Sequence, residues 1–92
     1  MMQWFEWNKI KAAQCLRKYG VSFGDAVSVF SDNWANTFPY LDHSAGEYRM
    51  LTFGFSLAGR LLAVSHAERG RAVRIIGARG ATRHERKIDE QA

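Results

Sequence analysis

The chain has 92 residues, of which 47% are hydrophobic, so we expect one packed domain over residues 1–92 rather than disorder. It contains a single cysteine, Cys15, which excludes an internal disulfide and favours a reducing, cytoplasmic setting. No apolar run approaches the roughly 18 residues that a membrane span needs, and the N-terminus lacks the pattern of a secretion signal.

The net charge of +4 is unevenly distributed. Cations and anions balance over residues 1–59, so the whole excess lies in residues 60–92, where nearly all the cations are arginines. The planar guanidinium group matches phosphate oxygens in a bidentate way. An anionic polymer or an acidic protein is therefore the expected partner, although a solvated basic face without a ligand has the same composition.

The N-terminal half predicts a short strand and two helices. Aromatic and polar residues alternate over 4–7, as in a strand. Asn8 then caps a helix of about ten residues that ends at Gly20, and Ser22 begins a second helix with Asp25 three positions on. The helices carry apolar stripes at Ala12, Cys15, Leu16 and Tyr19, and at Phe23, Ala26, Val27 and Phe30. We interpret Cys15 as a small buried residue rather than a nucleophile.

The C-terminal half predicts four strands and a last helix. The first of these strands covers 34–38 and ends at Pro39. A polar loop over 40–48 follows, in which Asp42, His43 and Glu47 match no closed set of metal ligands. Strands over 49–55, 61–67 and 72–78 form an antiparallel meander, and Thr82 with Glu85 forms a capping box. The predicted fold is α+β, a twisted antiparallel sheet in the order β-α-α-β-β-β-β-α, with two N-terminal helices on one face and a C-terminal helix.

The hairpin over 60–85 concentrates groups suited to metal-independent RNA cleavage, which needs a base, an acid and cations on the phosphate. Period two predicts that Arg74 shares a face with Ile76 and Ala78, and that Arg79 shares the other face with Arg71. His66 ends its strand, and we expect either a partly exposed imidazole that titrates near neutrality or a packed histidine. Glu68 would orient His66 or cap the turn. From these residues alone, an enzyme and a non-catalytic binding module both stay open.

Two long segments carry a resemblance to a known family. FEWNKIKAAQCLRKYGVSFGDAVSVF and DHSAGEYRMLTFGFSLAGRLLAVSHAERGRAVRIIGARGATRHE resemble the BrnT family of bacterial toxins, from Phe5 to about Glu90. The resemblance implies a RelE-like ribonuclease fold and a type II toxin–antitoxin pair that blocks translation by cleaving mRNA. It also implies a BrnA antitoxin with a ribbon-helix-helix domain, through which the hetero-oligomer binds operator DNA. From the residues themselves we expect no cofactor, no metal and no membrane association.

The candidate site residues follow from this resemblance and from the basic hairpin together. The catalytic candidates are His66, Glu68, Arg74 and Arg79, and the phosphate-binding candidates are Lys11, Arg69, Arg71, Thr82 and Arg83. The chain departs from the family pattern at Cys15, Tyr19, Gly77, Gly80 and Asp89. Glycine at positions 77 and 80 removes polar groups beside the proposed site, and Asp89 is not the C-terminal tyrosine of many RelE-like enzymes. The alternative hypothesis is therefore a weak or inactive module that binds the antitoxin or nucleic acid.

Overall fold

The computed structural model describes residues 3–40 and 48–91, with side chains through Lys87. Within these residues five strands and three helices form the predicted α+β domain. The strands are β1 (Trp4–Glu6), β2 (Asn36–Tyr40), β3 (Arg49–Phe55), β4 (Leu61–Arg69) and β5 (Ala72–Gly80). The helices are α1 (Lys9–Tyr19), α2 (Phe23–Ser28) and α3 (Arg83–Gln91), and a 3₁₀ turn, Val29–Ser31, follows α2. None of the helices in the described ranges is long and apolar enough to cross a membrane.

The sheet has the order β1-β5-β4-β3-β2 and is mixed, not antiparallel as predicted. The three strands β3, β4 and β5 form the expected antiparallel meander, but β1 pairs with β5 in parallel. The prediction was wrong because the partner of β1 lies at the far end of the chain, where local patterning gives no information on direction. Pro39 does not end β2 but lies inside it, which is tolerated because β2 is an edge strand of the sheet that the described residues form.

The helix ends are where the sequence predicted them. The Asn8 side chain accepts hydrogen bonds from the backbone N–H groups of residues 10 and 11, and Gly20 ends α1 with φ 69°. The Ser22 hydroxyl accepts a hydrogen bond from the Asp25 N–H at the start of α2. With these caps, α1 and α2 cover the core of the domain, whose buried members are Cys15, Val21, Phe23, Ala26, Val29, Leu62, Val64, Ile75 and Ala78.

Helix α1 buries less of its apolar stripe than predicted. Cys15 is buried as expected, and its Sγ donates a hydrogen bond of 2.8 Å to the carbonyl oxygen of Ala78 in β5. Leu16 and Tyr19 are instead 51% and 44% exposed. Helix α1 packs against β5, with Cys15 beside Ala78, and Tyr19 at its C-terminal end lines a hollow together with Ala63 and Arg79.

A β-bulge in β5 determines which arginines face which side. Ser65 pairs with Gly77 and His66 pairs with Ile75, so Ile76 is an extra residue without a partner in β4. Ile75 and Ala78 consequently both face the core, although they have opposite parity. Arg74 and Arg79 pair with Ala67 and Ala63, which lie on one face of β4. The predicted separation of Arg74 from Arg79 is therefore wrong, because the bulge reverses the alternation between them.

Candidate functional site

The face of the sheet opposite α2, hereafter the open face, carries a row of charged and aromatic residues. Register places Tyr40, Arg49, Ala67, Arg74 and Glu6 side by side on the five strands β2, β3, β4, β5 and β1. Ala67 is the small residue at the centre of this row, and directly opposed residues in a sheet present their side chains on the same face. Ala67 is 3% exposed, so longer side chains around it cover this part of β4.

A cleft of about 80 Å³ lies at this row and is hereafter the arginine cleft. It is lined by Asn8, Lys11, Arg49, Arg74, Ile75 and Ile76. Arg49 Nε is buried without a hydrogen-bond partner among the described residues. Three cationic side chains in one small cleft repel each other, so an anion bound between them would be stabilised by all three.

A second hollow on the open face, hereafter the tyrosine cavity, has a volume of about 150 Å³. It is lined by the large residues Tyr19, Tyr40, Leu51 and Arg79 and by the small residues Ala63, Ser65, Gly77 and Ala78. A Cβ atom added at Gly77 would lie 3.2 Å from Ser65 Oγ, so the backbone at Gly77 lies close to the Ser65 side chain. Lys18 Nζ lies 5.2 Å from the centroid of the Tyr19 ring, which places a further cation beside the cavity.

Helix α3 holds the guanidinium group of Arg79. Arg79 Nη1 and Nη2 donate hydrogen bonds of 2.6 and 2.8 Å to the two carboxylate oxygens of Glu85. This bidentate contact is the main reason that the pKa of Glu85 is lowered to about 2 and the pKa of Arg79 is raised. The geometry fixes the guanidinium plane at the border of the tyrosine cavity while leaving further N–H groups of Arg79 for a ligand.

Thr82 and Glu85 form the predicted capping box. The Thr82 hydroxyl accepts a hydrogen bond from the Glu85 N–H at 3.1 Å, and Glu85 Oε1 accepts one from the Thr82 N–H at 2.9 Å. Thr82, which was a phosphate-binding candidate, is thus the cap of α3. Glu85 combines two tasks, since the same carboxylate that caps the helix also orients Arg79.

His66 lies on the other face of the sheet from the arginines. It is 5% exposed, packs edge-on against Phe30 with ring centroids 4.9 Å apart, and its Nε2 lies 2.7 Å from Thr52 Oγ1. Burial lowers its pKa, and the charge of Glu68 only partly opposes this effect. The expectation of a partly exposed imidazole is therefore wrong, because the even-numbered residues of β4 face the helices.

The remaining candidates are spread over the surface. Glu68, Arg69 and Arg71 are exposed around the β4–β5 turn, where Gly70 has φ 62°, and Arg83 is exposed at the start of α3. Arg60 is tied to the end of α1, since its Nη1 donates to the Gly20 carbonyl oxygen at 3.0 Å. Of the predicted set, Lys11 and Arg74 meet in the arginine cleft, and Arg79 lies on the same face.

Three residues of the open face were missed by sequence reasoning: Tyr19, Tyr40 and Arg49. The position of Arg49 could have been predicted, because in the regular strand β3 it shares a face with Leu51 and Phe53. Tyr19 had the spacing of a buried stripe, and Tyr40 had been assigned to a loop. Asp42, His43 and Glu47 lie outside the described residues, and the described residues contain no group of His, Cys, Asp or Glu side chains arranged to hold a metal.

Comparison with known proteins decides the family. The model of the family described as "Ribonuclease toxin, BrnT, of type II toxin-antitoxin system" matches residues 7–85. The chain belongs to the BrnT family of ribonuclease toxins. The BrnT match includes every residue that lines the arginine cleft and the tyrosine cavity.

A solved BrnT structure has the same fold. The crystal structure of the Brucella abortus ribonuclease toxin BrnT superposes with a TM-score of 0.69, at 22% sequence identity, over 89% of this chain and 100% of that one. No curated protein sequence matches the chain. Membership of the BrnT family implies a type II toxin–antitoxin system, in which the toxin has an antitoxin partner.

Proposed function

We propose that this chain is an endoribonuclease toxin that binds single-stranded mRNA on the open face and cuts it without a metal ion. The observation that supports this best is the meeting of Lys11, Arg49 and Arg74 in one cleft, with Arg79 on the same face. These cations come from helix α1 and from strands β3 and β5, which flank β4 in the sheet, so regular elements hold their positions.

The proposed reaction is attack of a ribose 2′-oxygen on the adjacent phosphorus. A bond forms between O2′ and phosphorus while the bond from phosphorus to O5′ breaks, which leaves a 2′,3′-cyclic phosphate and a 5′-hydroxyl end. Negative charge gathers on the non-bridging oxygens during this step, and the guanidinium groups of the arginine cleft would stabilise it. Removing one such preorganised donor typically costs about 10²–10³ in rate.

Proton transfer needs a group on the same face as the phosphate. Glu6 is adjacent to Arg74 in the sheet register and is half-buried, and it is not part of the Arg79–Glu85 pair. We assign it the removal of the 2′-hydroxyl proton, a task worth about 10²–10⁴ in rate, while the departing O5′ takes its proton from water. His66 is left out of this scheme, since the imidazole would have to act through the sheet.

The finer biological assignments rest on the BrnT family. We propose that the fold is RelE-like, that the chain acts in the cytoplasm, and that its antitoxin is a BrnA-like protein with a ribbon-helix-helix domain that makes the contacts to operator DNA. An acidic segment of that antitoxin would neutralise the toxin by covering the cations of the open face. A short neighbouring reading frame with a ribbon-helix-helix pattern would be the expected source.

A non-catalytic role is favoured by one observation, the bidentate engagement of Arg79 by Glu85. In that case the cations would bind the antitoxin or RNA without cleaving it. Incubation of the purified chain with labelled RNA separates the two functions. Cleavage that is lost in Arg74→Ala supports the enzyme, whereas salt-sensitive binding without products supports the module.

A further inference from the structure

The tyrosine cavity has features that a phosphate site does not need. Its lining includes two phenol rings, from Tyr19 and Tyr40, together with several small residues. Neither tyrosine is buried in the core, since Tyr19 is 44% exposed and Tyr40 is half-buried at the end of an edge strand. Two aromatic side chains around a hollow are suited to a flat ring as ligand.

The volume of the cavity fits one such ring. It measures about 150 Å³, and an engineered protein cavity of ~150 Å³ is known to take up benzene. Because the hollow is open to solvent on one side, a two-ring ligand would extend outward without a clash. Any side chain at Gly77 would take up this space, because even a Cβ atom would approach Ser65 Oγ to 3.2 Å.

The charges around the cavity indicate what the ring is attached to. Arg79 lines the cavity, and Lys18 lies beside the Tyr19 ring. Arg49 connects the two sites, since it is the register neighbour of Tyr40 and lines the arginine cleft. A ligand with a flat ring in the tyrosine cavity would therefore have its anionic groups next to cations on both sides.

We infer that the tyrosine cavity binds one unstacked nucleobase of the RNA chain, next to the phosphate held in the arginine cleft. This inference rests on the proposed RNA-binding function and adds a base subsite to it. Aromatic stacking of this kind tolerates any base and requires an unpaired strand, so single-stranded nucleic acid is the substrate class. Stacking would also fix the register of the chain relative to the arginine cleft.

The test measures equilibrium binding of two fluorescent probes, a short oligothymidylate and an abasic oligonucleotide of the same length. Both carry the same phosphates, and both lack the 2′-hydroxyl that the proposed reaction needs, so neither is cut. The wild-type chain should bind the oligothymidylate more tightly. Tyr40→Ala and Tyr19→Ala should each weaken binding of the oligothymidylate by roughly 5- to 150-fold while hardly changing binding of the abasic probe.

The matched control is Tyr48→Ala, which removes an exposed tyrosine outside the cavity and should change neither affinity. Should Tyr40→Ala fail to fold, Tyr19→Ala on the more exposed helix position gives the same readout. Equal binding of the two probes by the wild type would overturn the base subsite and leave the phosphate contacts of the proposed function intact. Failure to bind either probe would overturn both.

Discussion

Arg74 and Arg79 lie on the same face of the sheet, although an odd number of positions separates them along one strand. In a regular strand this spacing places side chains on opposite faces. Ile76 lies between the two arginines and has no partner in β4, so it adds one residue to β5 and brings both arginines to the same face. The basic character of the open face thus depends on a backbone irregularity as much as on the arginines themselves.

Deletion of Ile76 tests the position of the bulge. Removing the extra residue would leave a regular strand in which Arg74 and Arg79 still pair with Ala67 and Ala63 on the open face and Ala78 still faces the core. We therefore expect the deletion variant to fold and to keep most of its cleavage activity, measured by urea unfolding and a labelled-RNA assay. Ile76→Ala, which keeps the extra backbone unit, should retain both properties as well. A deletion variant that unfolds, or that folds but no longer cuts RNA, would show that Ile76 is not the extra residue.

Alanine substitution of an arginine on the open face should reduce the cleavage rate more than substitution of an arginine elsewhere. Arg74→Ala and Arg49→Ala each remove a donor from the arginine cleft, so we expect cleavage rates to fall by about 10²–10³. Arg17→Ala removes the same charge from an exposed position on α1 and should reduce the rate only slightly. The measurement is the cleavage rate of each variant per folded molecule, with the folded fraction obtained from circular dichroism. An equal loss in all three variants would mean that net charge matters and position does not.

His66 should contribute to stability rather than to chemistry. Its folded-state pKa lies below the ordinary value of 6.5, so protonation favours the unfolded chain and stability is lost as the pH falls from 6.5 through the folded-state pKa. In His66→Gln this part of the pH dependence should disappear, because glutamine does not titrate and still offers a donor to Thr52. Urea titrations between pH 7.5 and 5 measure it. Loss of cleavage in a fully folded His66→Gln would return the imidazole to the mechanism.

The Arg79–Glu85 pair predicts a second pH dependence, at lower pH. The pKa of Glu85 falls from 4.5 to about 2 on folding, so its contribution is complete above pH 4.5 and is lost as the pH falls through 2. Glu85→Gln should be less stable than the wild type by about 1–2 kcal/mol at neutral pH, since both partners are partly exposed. The gap should narrow between pH 4.5 and 2. A gap that is constant with pH would assign the loss to the helix cap alone.

Local features of the fold were predictable and long-range ones were not. The caps at Asn8, Ser22 and Thr82 depend on neighbouring residues, so sequence pattern was sufficient to place them. The parallel pairing of β1 with β5 and the extra residue at Ile76 depend on partners distant in the chain. The same holds for the site. Arg74 and Arg79 could be proposed from composition, whereas their common face and the position of Tyr19 required the packed structure.

The chemical identity of the RNA ends tests the central proposal most directly. Wild-type chain incubated with labelled single-stranded RNA in the presence of a chelator should yield 2′,3′-cyclic phosphate and 5′-hydroxyl ends, and Arg74→Ala should yield almost none. Such ends would establish attack by the 2′-oxygen on an arginine-bound phosphate. Uncut RNA, or products with 3′-hydroxyl and 5′-phosphate ends, would contradict the reaction assigned to the open face.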